Sequence, residues 1–391
     1  MKKSIAIVMD SMRMGGTETV LVNMLSSIDY SNYEITLWLR DISGELLNHV
    51  NPNVHIKKLD LNSPYSRIIK QYVANLSLFR ATKSLFFRLL SRLFVSDYYH
   101  NFKYMLKSLP DLVVENYDCT IAYQAMNPDN LLIADILFKS KYKIAWIHML
   151  CRHNKTENTF SAFKNTFPRM SKIFCVSKAS KEHFLSVYPE LRNRCEVFYN
   201  LLNSQDILRR AKESIYVPHK ETVISTVGRL SKEKGQQLIP EVAALLVNDG
   251  YDFEWNIVGG GVMYDSLYEI IKSYGVENTV YLRGNQLNPY PFIDKCKIYV
   301  QPSLREAFCT STLEAKVLNK AVITTDVDGM REQFEDKYDG IIVAPNSVQS
   351  LYLSIKDLLD NTDKRLMIEE NTKKKCLNYD SELKKLYDIF D

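Results

Sequence analysis

A chain of 391 residues exceeds one ordinary domain and suits two α/β domains of roughly 150 to 200 residues each. Its composition, 46% hydrophobic and 25% charged with only 13 Gly and 12 Pro, excludes a disordered, collagen-like or disulfide-scaffold chain. A net charge of +4 is too small to imply a nucleic-acid partner, and none is expected.

Met1-Lys2-Lys3 is followed by an apolar run over 4–9 that breaks at Asp10 without a small-residue cleavage site. The run therefore predicts a first buried strand rather than a signal peptide. Further strands are predicted over 34–39, 54–59, 119–123, 143–147, 173–176 and 196–199. Amphipathic stretches lie between them, such as 17–27, where Val20, Leu21, Met24 and Leu25 recur at helical spacing. From 66 to 107 the alternation stops. There Arg67, Lys70, Arg80, Lys83, Arg88, Arg92, Lys103 and Lys107 face a single acid, Asp97, and are interleaved with Leu85, Phe86, Phe87, Leu89, Leu90, Leu93 and Phe94. This composition fits an amphipathic helix on an anionic bilayer, or equally a helical insertion whose apolar face packs on its own domain.

A second series of strands is predicted over 223–227, 253–258, 280–282, 298–300, 322–324 and 341–343. The alternation predicts a doubly wound α/β sheet in each half. The seam is placed near 204, giving domains over 1–203 and 204–371, and a C-terminal helix over 372–391 is expected to pack back on the first domain. No run of eighteen apolar residues occurs, so no transmembrane helix is expected and any membrane contact is peripheral. The seven cysteines, at 119, 151, 175, 195, 296, 309 and 376, contain no CxxC pair and fit a reduced, cytoplasmic protein without zinc or disulfides.

Three segments after strands of the second domain can carry chemistry. Strand 223–227 leads into Gly228-Arg229-Leu230-Ser231-Lys232-Glu233-Lys234-Gly235, which puts Arg229 and Lys234 beyond a strand's carboxyl end, where ligands of open parallel sheets sit. Strand 253–258 leads into Gly259-Gly260-Gly261, which allows a close backbone approach. Strand 298–300 leads into a stretch in which Glu306 precedes a helix and Glu314 lies about one turn inside it. Backbone amides near Thr310, Ser311 and Thr312 suit a phosphate, and the carboxylates suit sugar hydroxyls. Asp326-Val327-Asp328 resembles a metal-binding D-x-D, but a turn before a helix explains these acids at least as well, so no metal is expected.

Arg229 with Lys234, the glycine triplet, the E-x7-E pair Glu306 and Glu314, and an early Gly15-Gly16-Thr17-Glu18 loop resemble glycosyltransferase family 4 along nearly the whole chain. The resemblance implies a GT-B fold, two Rossmann-like domains facing a central cleft. It also implies retaining transfer from a nucleotide sugar, UDP-linked, to a saccharide acceptor, lipid-linked as in bacterial surface polysaccharide synthesis. By the same resemblance Arg229 and Lys234 neutralise the donor diphosphate, Glu314 binds ribose and Glu306 contacts the transferred sugar. Gly15, Gly16 and Gly260 lie against the donor, and His148 reaches the sugar. Asn200 matches an asparagine near the junction, although Leu201-Leu202 replaces the usual Gly-Val, and Ala307 replaces a glycine. No cofactor beyond the donor is implied. A UDP-sugar epimerase of similar fold and a non-catalytic nucleotide-sugar-binding module are the alternatives.

Overall fold

The computed structural model describes residues 2–59, 61, 78–93, 97–108, 115–151, 159–213, 216–374 and 380–390. It divides into two compact bodies, Met1–Tyr199 with Ser381–Asp391, and Asn200–Asp380. Each is mixed α/β, built on one parallel sheet.

In the first body β1 (Lys3–Met9), β2 (Tyr33–Leu39), β3 (Val54–Lys58), β4 (Asn116–Ala122), β5 (Lys139–Ile147), β6 (Lys172–Cys175) and β7 (Cys195–Val197) lie in the order β3-β2-β1-β4-β5-β6-β7. Ile5 of the central strand pairs with Ile35 on one side and Cys119 on the other. Residues 5–9 are all buried, as expected of a parallel strand covered on both faces, and this is why the segment reads as a continuous apolar run. The chain winds outward from β1 to β3 and then returns to the other side of β1. The loops leaving β1 and β4 therefore diverge and open a crevice at the strands' carboxyl ends.

The second body repeats the device with β8 (Val223–Val227), β9 (Glu254–Val258), β10 (Val280–Leu282), β11 (Ile298–Gln301), β12 (Ala321–Thr325) and β13 (Ile341–Val343), in the order β10-β9-β8-β11-β12-β13. Its switch point lies between β8 and β11. Ile224, Trp255, Ile257, Ile298, Val300 and Ile323 belong to its core. The Trp255 indole, fully buried, donates to Thr226 Oγ1 at 3.1 Å, so its one polar atom is satisfied.

The bodies part at Tyr199/Asn200, a few residues before the expected seam. At the other end the helix Thr362–Lys374 stays with the second body beyond 371, because Asn371 Nδ2 and Thr372 Oγ1 donate to the carbonyls of Tyr338 and Asp339 at 3.1 and 3.2 Å. The helix Asp380–Tyr387 packs on the first body. Glu382 accepts from the Tyr199 amide at 2.8 Å, Lys385 donates to the Val197 carbonyl at 2.9 Å, and Tyr387 stacks on Tyr33 with centroids 4.7 Å apart.

The basic segment is not one helix. Arg67, Lys70 and Phe94 lie outside the described residues, and the rest forms two helices, Leu78–Leu93 and Tyr98–Lys107, packed against each other. The second is capped by Asp97, which accepts from the His100 amide at 3.2 Å, and it buries Tyr99, Phe102 and Leu106 at helical spacing in the core. Among the described residues no helix is long and apolar enough to cross a membrane.

Candidate functional site

The second body brings four of the expected residues to its switch point. Arg229 follows β8 directly, is exposed, and has no salt-bridge partner among the described residues. Its backbone is held by Gln236, whose side-chain amide donates to the Arg229 carbonyl at 3.0 Å. Lys234 closes a 3-10 turn and is followed by Gly235 at φ +71°, where a Cβ would stand 1.9 Å from the Pro302 carbonyl oxygen. That close approach brings the loop after β8 against the loop after β11. Lys234 Nζ and Glu306 Oε1, separated by 72 residues in sequence, lie 2.5 Å apart. Burial opposes the Lys234 charge, but the Glu306 carboxylate beside it carries its pKa upward. An ammonium has three N–H donors, so one bond to Glu306 leaves two for an anion.

Glu306 is itself held from behind. Ser303 Oγ donates to Glu306 Oε1 at 2.8 Å, Gln301 Nε2 donates to Ser303 Oγ at 2.9 Å, and Tyr299 Oη donates to Gln301 Oε1 at 3.1 Å. Tyr299, Gln301 and Ser303 are fully buried, so a polar chain runs from inside the sheet to the ion pair. Gln301 and Ser303 belong to no motif that marks them as functional residues. Their signal was two polar residues placed where a central parallel strand ends.

The helix Thr310–Val317 begins beyond this loop. The Ser311 hydroxyl is occupied by Gln301 Oε1 at 3.3 Å and that of Thr312 by Gln333 Oε1 at 2.6 Å, so these side chains face inward. What the helix start can offer an anion is its first-turn amides, which have no carbonyl of a preceding turn to bond. Glu314 is buried, and its carboxyl is pushed up to about 7 by that burial, against the opposing pull of Arg210. Arg210, missed by the sequence reading, lies over the Tyr290 ring at 5.0 Å. Cys309 is buried and its thiol is pushed up to about 11, an inert packing residue rather than a nucleophile.

The glycine triplet has a reason within the fold. Gly259 and Gly261 have φ of +142° and +154°, and a Cβ on them would meet the carbonyl oxygens of Gly228 and Leu230 at 2.1 and 2.3 Å. Leu230 N donates to the Gly260 carbonyl at 2.9 Å. The triplet thus seats the Arg229 loop. Asp326 is clamped by Arg331 through two bonds of 2.7 and 2.6 Å, and among the described residues no His/Cys/Asp/Glu cluster suits a metal ion.

In the first body Gly15 and Gly16 begin the helix Gly16–Ser27 beyond β1. Across the switch point Gln124 donates to Glu18 Oε1 at 2.8 Å. His148 follows β5, with its ring centroid 4.4 Å from that of Tyr123. Burial holds its imidazole far below the usual range, at about 3, while a hydrogen bond with the Tyr123 backbone opposes the shift. Among the described residues His148 Nε2, Tyr123 Oη and Trp146 Nε1 are buried without hydrogen-bond partners, three neighbouring polar atoms left unsatisfied. Asn200 Oδ1, in the second body, is likewise unpartnered among the described residues.

Residues 209–375, the stretch carrying the four charged residues, match the family described as Glycosyl transferases group 1. The chain is 29% identical over 231 residues to the N-acetylgalactosamine-N,N'-diacetylbacillosaminyl-diphospho-undecaprenol 4-alpha-N-acetylgalactosaminyltransferase of Campylobacter jejuni, covering 57% of this chain and 62% of that one. It is 26% identical to the same organism's N,N'-diacetylbacillosaminyl-diphospho-undecaprenol alpha-1,3-N-acetylgalactosaminyltransferase, over 66% and 64%. The chain thus spans under two thirds of the length of either relative.

In fold it is similar to Anabaena Alr3699/HepE in complex with UDP, with a TM-score of 0.68, 17% identity and 99% of both chains covered. It is also similar to WaaG, a glycosyltransferase involved in lipopolysaccharide biosynthesis, with a TM-score of 0.66, 13% identity, and 98% and 99% covered. The fold is that of the GT-B glycosyltransferases, two Rossmann-like domains with parallel sheets.

Proposed function

We propose that the protein is a retaining glycosyltransferase. It moves a sugar from a UDP-linked donor to a saccharide acceptor carried on a lipid diphosphate, in the synthesis of a surface polysaccharide or glycoconjugate. The observation that carries this reading is the pairing of Lys234 with Glu306 at the switch point of the second body, with Arg229 on the loop that bears Lys234 and Glu314 in the helix that follows Glu306. Two cations and a helix start suit a diphosphate, and carboxylates beside them suit sugar and ribose hydroxyls. The names of the two Campylobacter relatives support a lipid-diphosphate acceptor, and the UDP complex of HepE supports the uridine base.

In the proposed reaction the bond from the anomeric carbon to the donor phosphate oxygen breaks, and one to the acceptor oxygen forms on the same face. The acceptor proton passes to the departing diphosphate. Arg229, Lys234 and the amides of Thr310 to Thr312 stabilise the negative charge that develops there, so no obligatory metal is required. Glu306, braced by Ser303, holds the sugar, and Glu314 holds the ribose. In the first body His148, neutral and hydrogen-bonding, and the Gly15–Gly16 loop are proposed to contact the substrates. The buried free thiols of the described cysteines fit a reducing, cytoplasmic setting.

Calorimetric titration with UDP, GDP, ADP and CMP, without metal and on Arg229→Ala and Glu314→Ala, tests the donor site. Selective binding of UDP, lost in both variants, is expected; tight binding retained in both overturns the assignment. Incubating UDP-sugars without acceptor separates transfer from the epimerase alternative, because only an epimerase converts the donor's sugar unaided. Binding without turnover on any undecaprenyl-diphosphate saccharide would mark a binding module.

A further inference from the structure

The helix Leu78–Leu93 is packed the wrong way round for a core helix. Among its described side chains the buried ones are two serines seven apart, Ser84 at 1% and Ser91 at 4% exposure. Ser84 Oγ donates to the Ser108 carbonyl, and the Ser91 carbonyl accepts from Asn101 Nδ2 at 2.7 Å, so both serines are tied to the neighbouring helix Tyr98–Lys107. Turned away from that contact are Leu85, Phe86, Leu89 and Leu93, at 50%, 57%, 53% and 76% exposure. At ~100° per residue these four fall on one stripe about 100° wide. Arg92, exposed, lies about 20° beyond one margin, and Lys83, also exposed, about 60° beyond the other. A helix that packed for stability alone would bury this stripe and leave its serines to solvent.

We propose that this stripe is a docking surface for an anionic lipid bilayer. The helix would lie in the plane of the interface, with Leu85, Phe86, Leu89 and Leu93 below the headgroups and Lys83 and Arg92 reaching up to lipid phosphates on either side. Charge complementarity selects this occupant. Lys83, Arg88, Arg92, Lys103 and Lys107 belong to the two helices, and Asp97, whose carboxylate is taken up by His100 Nδ1 at 2.7 Å, is the one acid among their described residues. An apolar face meant for a second copy of the chain would not gain from cations on both sides of it, because the copies would repel there. The docking does not depend on sugar transfer. Its purpose, bringing the enzyme to an acceptor embedded in a membrane, rests on the proposed function.

The test is sedimentation of the full chain with vesicles of phosphatidylcholine alone and of phosphatidylcholine with phosphatidylglycerol, with no donor or acceptor present. Binding at least tenfold stronger to the anionic vesicles is expected. Phe86→Asp with Leu89→Asp should abolish it, and Lys83→Glu with Arg92→Glu should remove the preference for anionic lipid. These side chains are exposed, so circular dichroism and melting temperature should be unchanged in both variants. With a water-soluble acceptor their turnover should also be unchanged, which separates a failure of docking from a failure of the transferase reading. Equal binding to both vesicle types, binding unaltered in the Asp variant, or a dimer that the Asp variant converts to monomer would each overturn the proposal, the last by marking the stripe as an interface between copies.

Discussion

At the switch point of the second body, loops from β8 and β11 meet through a lysine–glutamate pair 2.5 Å apart, with an exposed arginine on the lysine's loop and a buried carboxyl in the helix that follows the glutamate. At the corresponding point of the first body the loops from β1 and β4 meet through a neutral amide on Glu18, beside a histidine kept uncharged among aromatic rings. The same winding of a parallel sheet thus makes one crevice lined by a lysine–glutamate ion pair and one lined by an amide–carboxylate pair. The topology supplies only the position, because any residue following those strands arrives there. The chemistry is set by which side chains are buried beside which.

This division of labour can be broken experimentally. The largest effect is expected from Arg229→Ala, which should lower turnover by about 10²- to 10³-fold, the usual cost of losing one group aimed at developing charge. Because Arg229 is exposed, its melting temperature should stay within a degree or two. His148→Asn should lower turnover about tenfold without weakening UDP binding. A comparable loss of UDP affinity would mean that the first body also holds the nucleotide.

Ser303→Ala sharpens the comparison within the second body. It removes the hydroxyl that braces Glu306 and should lower kcat about tenfold while leaving the donor affinity nearly unchanged. Ser303→Thr, which keeps the donor, should restore part of the rate. A purely structural serine would shift the melting temperature instead.

Two smaller effects concern pH. With the Glu314 carboxyl at about 7 when folded, the folded chain keeps a proton that the unfolded chain releases in the ordinary carboxylate range. Stability should therefore fall as pH rises from that range to about 7 and then level off. Glu314→Gln should lose this slope and gain up to about 3 kcal/mol relative to the parent above pH 7, measured by urea unfolding. The smallest effect is expected of His148, whose imidazole at about 3 is already neutral in the working range. The rate profiles of the parent and of His148→Asn between about pH 6 and pH 8 should have the same shape, and an inflection lost with the histidine would show that it titrates during turnover.

Much of the sheet architecture was legible in the chain, because strands buried on both faces are mostly apolar and β-branched. The runs at 223–227, 280–282 and 341–343 coincide with β8, β10 and β13 residue for residue. The glycine triplet was legible as a close approach, but not that its neighbour would be the Arg229 loop. The basic segment was legible as amphipathic, yet its composition suited inward packing and outward display equally. Only the seating of Ser84 and Ser91 shows which face of the helix Leu78–Leu93 turns outward.

By itself, then, the sequence determined where strands and helices lie and which charged side chains follow each strand, since both depend on local pattern. The tertiary structure decided that Lys234 meets Glu306, that Gln301 and Ser303 brace the pair, and that Glu314 and His148 leave their ordinary ranges. Those properties depend on desolvation and on partners tens of residues away, which exist only once the two halves of a sheet have closed on each other.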